Sequence, residues 1–100
     1  AAHFDLLMEV EGEERLFTLQ LENWPPPSKF VELKPHRRMY LDYEGEISDG
    51  RGSVKRVMSG EWKPNNSGQS PFSNGDCPLL LPDEGPEFRL VQQKNVIEYS

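Results

Sequence analysis

Apolar and polar residues alternate over short runs along this chain, and a period of two marks strands with one buried face. Within residues 4–10, Leu6, Met8 and Val10 fall on one side, and Asp5, Leu7 and Glu9 on the other. Glu11-Gly12-Glu13-Glu14 supplies a polar turn, after which residues 15–21 place Phe17, Leu19 and Leu21 on one side. Two alternating runs joined by a short glycine-containing turn predict a β-hairpin.

Further along, the pattern is broken by turn chemistry. Trp24-Pro25-Pro26-Pro27-Ser28 cannot continue a ladder, because proline lacks an N–H and fixes φ, so an extended, polyproline-like surface connector is expected there. Residues 30–33 read as a short strand and Pro35-His36-Arg37-Arg38 as a turn leading into residues 39–43. Glu44-Gly45 and residues 48–52 are turn-forming, residues 53–58 read as a strand, and Ser59-Gly60-Glu61-Trp62 follows. Residues 63–85 are rich in Asn, Ser, Gly and Pro and interrupted by one apolar island at 78–81, which predicts a long, mobile connection. Residues 88–91 and 96–99, around Gln92-Gln93-Lys94-Asn95, read as a closing hairpin. No segment keeps a helical period. The expectation is an all-β barrel or sandwich in a single domain spanning residues 1–100.

Composition narrows where chemistry can sit. One hundred residues suffice for one modest core, so any site must be a surface pocket or a barrel mouth. Only 35% of residues are hydrophobic, and two Trp, five Phe and three Tyr supply much of the core volume. Cys77 is the single cysteine, which excludes a disulfide within the chain and fits a reducing, cytoplasmic setting. Its Asn-Gly-Asp-Cys-Pro setting offers nothing to lower a thiol pKa, so a passive role is expected. No run approaches the roughly 18 apolar residues of a membrane span, and no signal-peptide pattern opens the sequence, so no membrane association is expected.

A net formal charge of −6 argues against a general nucleic-acid binder. Between Lys29 and Lys63, however, eight basic residues face six acidic ones, so this stretch is the part suited to an anion. Within it, His36 and Tyr40 flank Arg37 and Arg38, a set able to bind and polarise a phosphate. Near the start, His3 and Asp5 stand at i and i+2, which on a strand puts an imidazole and a carboxylate on one face, a pairing suited to a divalent metal. Taken singly, each group is better explained as an exposed histidine or a surface turn with Tyr40 half-buried in the sheet.

Order and spacing join the pieces. His36-Arg37-Arg38-Met39-Tyr40-Leu41-Asp42-Tyr43-Glu44-Gly45-Glu46-Ile47 resembles the His-x-x-x-Tyr-x-x-(Phe/Tyr)-Glu-Gly-x-Ile pattern of the 3′-phosphoesterase domain of bacterial DNA ligase D. His3-Phe4-Asp5-Leu6-Leu7-Met8-Glu9 is similar to that family's His-x-Asp-x-Arg-Leu-Glu strand, Gly52-Ser53-Val54 to its Gly-Thr-Val strand and Met58-Ser59-Gly60-Glu61-Trp62 to its closing Gly-x-Trp turn. Phe88-Arg89-Leu90 resembles its C-terminal Phe-Arg-Leu.

The resemblance implies a small closed or partly open β-barrel with Gly/Pro-rich turns, one long loop and a site at one mouth. It implies a metal-assisted phosphoesterase that trims 3′-phosphates or 3′-ribonucleotides from DNA ends during repair. His3 and Asp5 would ligate a divalent ion, Mn²⁺ first and Zn²⁺ second. His36 and Tyr40 would contact the scissile phosphate as catalytic groups, with Arg37 and Arg51 as further phosphate contacts. Glu44 and Gly45 would turn the chain beneath the site. A DNA 3′ end or DNA/RNA junction is the expected partner, with a ligase or other repair protein nearby and the protein itself a monomer.

Three positions depart from the pattern. The family's additional metal-binding histidine, in a His-Asp pair six residues before the His-x-Asp histidine, would fall before residue 1. Its phosphate-binding arginine is Leu7 here, and its Pro-Lys-Gly-Pro segment is Trp24-Pro25-Pro26-Pro27. Lys29, Lys34 and Arg51 are the candidates to replace the lost cations. A barrel that binds an end or a protein partner without turnover is therefore the competing expectation, and a module docking through the proline run a third.

Overall fold

Alternation becomes pairing where a turn lets two such runs meet. A computed structural model describes residues 3–46, 53–65 and 70–99 of the chain. The predicted hairpin is present: β1 (Phe4–Met8) and β2 (Arg15–Leu21) pair antiparallel, with Phe4 opposite Leu21 and Met8 opposite Phe17. β3 (Ser28–Arg37) returns along β2, and the short strands β4 (Gly45–Glu46) and β5 (Ser53–Val54) pair with each other. β6 (Gly60–Lys63), β7 (Leu79–Pro82), β8 (Phe88–Gln93) and β9 (Val96–Tyr99) complete the set.

Among the described residues the main sheet has seven antiparallel strands in the order β1-β2-β3-β9-β8-β7-β6. The fold is all-β, and the sheet curls into a partly open barrel. Its two edge strands do not pair by a ladder. Instead the Trp62 indole of β6 donates to the Glu9 carbonyl just after β1, at 2.7 Å. No helix among the described residues is long and apolar enough to cross a membrane.

The inner face carries the core. Met8, Leu19, Leu21, Leu80, Leu90 and Ile97 are buried together, with Phe4, Leu6, Phe17, Trp24, Phe30 and Phe88 packed around them. Each such side chain contributes on the order of 1.5–3 kcal/mol by leaving water. The core therefore draws on β1, β2, β7, β8 and β9, which fixes the curl of the sheet.

Several sequence expectations are corrected. The segment Trp24–Pro27 is not a solvated spacer: Trp24 packs on the core, Pro26 is buried, and the Trp24-Pro25 and Pro26-Pro27 bonds are cis. Apolar area on the indole and rings outweighs the preference of a proline run for an extended course. Pro35, His36 and Arg37 lie in β3 rather than in a turn, which begins only with the 3₁₀ segment Arg38–Leu41. Glu61 and Trp62 belong to a strand, while the strand expected over residues 53–58 is confined to Ser53–Val54.

The expected long connection is interrupted too. Its apolar island becomes β7, an interior strand whose Leu80 is buried, because four consecutive apolar residues flanked by turns suit a strand covered on both sides. The loop before it is pinned by Asp76, which is 3% exposed and accepts from the backbone N–H groups of Asn65 and Cys77. The closing hairpin is as expected, with β8 and β9 joined through Lys94-Asn95 and Gln93 opposite Val96.

Candidate functional site

Leu6 and Met8 turn into the core, so Asp5 and Leu7 must face the other side of β1. By register, Leu7 stands opposite Thr18 and Asp5 opposite Gln20 on β2. This second face is also partly dry. Leu16 and Thr18 are 0% and 1% exposed, and the 3₁₀ segment Arg38–Leu41 packs against β1 and β2 over it. The buried Thr18 hydroxyl is satisfied by donating to the Leu16 carbonyl at 3.0 Å.

A β-bulge aims His36 at this face. Thr18 pairs with Leu33, but Leu16 pairs with His36, so Lys34 and Pro35 together oppose the single residue Phe17. Proline tolerates a bulge because no ladder donor is needed there. Leu33 and His36, three apart, would point to opposite faces of a regular strand; the extra residue returns them to the same one. The bulge also brings the Lys34 carbonyl to 3.0 Å from His36 Nδ1. A carbonyl only accepts, so Nδ1 carries the proton, and in the neutral ring the Nε2 lone pair is left facing outward.

That nitrogen points at Asp5. His36 Nε2 lies 3.9 Å from Asp5 Oδ2, and His3 Nε2 lies 3.6 Å from Asp5 Oδ1. Both separations exceed a hydrogen bond, so the two rings flank one carboxylate and attract it as charges only when they are protonated. Tyr40 meets the His36 ring edge to face with centroids 6.1 Å apart, and Tyr43 meets Tyr40 in the same way at 6.1 Å. Below them Glu44 accepts from the Arg56 backbone N–H at 2.8 Å, tying the segment after β5 to the one before β4. Gly45 takes φ +136°, and a Cβ there would lie 3.4 Å from the Tyr43 hydroxyl. Glu44 and Gly45 thus hold the backbone next to Tyr43 and Arg56, which line the groove, without lining it themselves.

These side chains line an open groove of roughly 1440 Å³ between β1, the end of β3, the 3₁₀ segment and β6. His3, Asp5, His36, Tyr40 and Arg37 all border it, so the structure gathers five of the six candidate residues. Arg51 lies outside the described residues. Of the substitutes considered for the missing cations, Lys34 lines the groove, whereas Lys29 pairs with Val96 of β9 at the far end of β3. Arg38 is already engaged: its guanidinium pairs with the Glu9 carboxylate and donates to the Glu13 carbonyl at 2.8 Å. Tyr43, Arg56 and Trp62 were not singled out as site residues from sequence. Tyr43 was detectable in the Tyr-x-x-Tyr spacing, whereas the contacts of Arg56 and Trp62 are long-range and leave no local signal.

The donor types, two imidazoles and a carboxylate, suit a divalent ion. Donors that share one ion at about 2.1 Å stand about 3.0–3.4 Å apart, so relative to Asp5 His3 would have to draw in by about 0.2–0.6 Å and His36 by about 0.5–0.9 Å. Among the described residues no three His, Cys, Asp or Glu side chains are already gathered around one point. The set fits an ion in the type of its donors but not in their present arrangement. No family model, curated protein or solved structure matches the chain.

Proposed function

We propose that the groove is a phosphoesterase-like site that acts, with a divalent ion, on the 3′-phosphate or 3′-ribonucleotide of a DNA end during repair. One observation carries this reading: His36, thirty-one residues beyond Asp5 in the chain, is turned by the Pro35 bulge so that its free nitrogen meets the His3/Asp5 pair. His3 and Asp5 would hold the ion, Mn²⁺ or Zn²⁺, which would polarise a phosphoryl oxygen.

The chain's own groups supply the rest. Water would attack the phosphorus as the bond to the sugar 3′ oxygen breaks, and His36, when protonated, would present Nε2–H and give its proton to that leaving oxygen, yielding inorganic phosphate and a 3′-hydroxyl. The Lys34 carbonyl holds the ring in place for that transfer, as an orienting partner does in other His sites. Tyr40 offers a hydroxyl, and Arg37 and Lys34 offer cationic donors along the groove wall. The resemblance to the ligase D phosphoesterase pattern points the same way, and a short cationic stretch in an acidic chain suits one end rather than a long duplex. The test is release of inorganic phosphate from a 3′-phosphorylated primer–template with Mn²⁺. Turnover that falls about 10²–10⁴-fold in His36→Ala supports the proposal, and no release from the intact protein sinks it.

A second reading rests on Leu7. This residue shares the outer face with Asp5, where the resemblance calls for an arginine, and leaves the groove apolar at that point. A barrel that binds an end without cleaving it follows if the primer–template binds but stays intact. In that case Leu7→Arg would tighten binding without producing phosphate.

A further inference from the structure

On the other side of Met58 lies a second pocket, of roughly 390 Å³, lined by Trp24, Met58, Pro82, Glu84, Pro86, Phe88 and Tyr99. Its walls come from four separate segments. Phe88 stands edge to face with Tyr99, centroids 4.6 Å apart, and Trp24 tilts against Phe88 at 6.4 Å. Tyr99 is 46% exposed, which leaves its ring accessible at the pocket rim. Burial raises the Tyr99 phenol above its ordinary value, so it stays neutral across the physiological range.

Charge selects the occupant. The turn Pro82-Asp83-Glu84-Gly85-Pro86-Glu87-Phe88 carries three acidic residues and no basic one, and Glu84 contributes to the pocket wall itself. Asp83 is engaged with the Ser59 hydroxyl at 2.8 Å, leaving Glu84 as the pocket's own anion. Aromatic faces are negative, so three rings beside one carboxylate favour a cation that is only weakly hydrated. Ordinary ammonium groups lose strong hydration on entry, whereas methylated ones do not.

We propose that this pocket binds a methylated ammonium group, carried by a methylated lysine of a basic peptide or by a small quaternary amine. A nucleobase would stack on the same rings, but the acidic turn repels the phosphates attached to it. The site adjoins the phosphoesterase groove, with which it shares Met58, but the inference does not rest on the function proposed for that groove.

The experiment follows the two tryptophan indole N–H signals by NMR during titration with tetramethylammonium, a trimethyllysine peptide, its unmethylated form and a neutral tert-butyl isostere. Saturable movement of the Trp24 signal is expected with tetramethylammonium at millimolar concentration, while Trp62 stays still. The two sources separate by affinity: tighter binding of the peptide than of tetramethylammonium assigns the peptide, and equal affinity assigns the small amine. Trp24→Ala touches the core, so Tyr99→Leu and Glu84→Gln serve as the deciding variants, each expected to weaken binding about three- to tenfold. Binding of the neutral isostere as tightly as the cation, movement of Trp24 with a single-stranded oligonucleotide instead, or no saturable change overturns the proposal.

Discussion

His36 reaches Asp5 across an intervening strand: its Nε2 stands 3.9 Å from Oδ2, although β2 separates β1 from β3 in the sheet. Asp5 is thereby the shared group of the site, since its other oxygen faces His3 at 3.6 Å.

On the proposed reading, Asp5 should matter more to ion binding than either imidazole. Asp5→Asn keeps the shape but removes the charge that both nitrogens face, and His3, with a side chain 52% exposed, is the more dispensable ligand. Mn²⁺ titration should show a loss of about 100-fold or more for Asp5→Asn and a smaller one for His3→Ala. Equal Mn²⁺ affinity in wild type and Asp5→Asn would remove the metal from the account.

The two dry faces of the β1–β2 hairpin make a second prediction. Leu16 and Leu90 are both 0% exposed, but Leu90 belongs to the inner core, whereas Leu16 lies on the outer face beside His36. Either Leu→Ala change should cost about 2–5 kcal/mol in urea unfolding. Only Leu16→Ala should also shift the His36 and Tyr40 NMR resonances in the folded protein. Equal shifts from Leu90→Ala would mean that the faces are not separate.

Much of this was legible in the sequence, and the reasons differ by segment. The first and last hairpins were readable because alternation and turn chemistry agree locally, and Leu6, Met8, Leu19 and Leu21 fall on the expected face. Pro35 misled: a proline beside His36 suggests a turn, and only pairing with Leu16 and Thr18 reveals a bulge. Residues 78–81 were visible as an apolar island, but their place between β6 and β8 depends on partners many residues away. The candidate residues themselves could be picked by type and spacing. Their convergence could not, because it arises from the strand order and from one extra residue in β3.

Gly60 tests the packing of the open edge. A Cβ at this position would lie 2.2 Å from the Leu81 carbonyl oxygen and 2.7 Å from the Pro82 Cα, both backbone atoms that cannot swing aside. Gly60→Ala should therefore push β6 from β7 and cost about 1–3 kcal/mol. Thermal unfolding reads the cost, and hydrogen exchange should show the loss concentrated at Glu61 and Trp62. An unchanged melting temperature would show that the strands can part without penalty.

Trp62 bears on whether the barrel is held shut. Its indole donates to the Glu9 carbonyl, and this 2.7 Å bond spans the gap between the unpaired edges of β6 and β1. Trp62→Phe keeps most of the apolar bulk packed on the core but removes the donor. The global cost should be about 0.5–1.5 kcal/mol, the usual net contribution of one hydrogen bond. The local effect should be larger in kind, because β1 then has a partner on one side only. Amides of β1 should exchange faster while those of β8 and β9 keep their protection. Since β1 carries Asp5 and the groove runs along it, the same variant should bind Mn²⁺ more weakly although Trp62 is not a ligand. Uniform acceleration across all strands would instead mean that the bond supports the whole fold and not the closure of its edge.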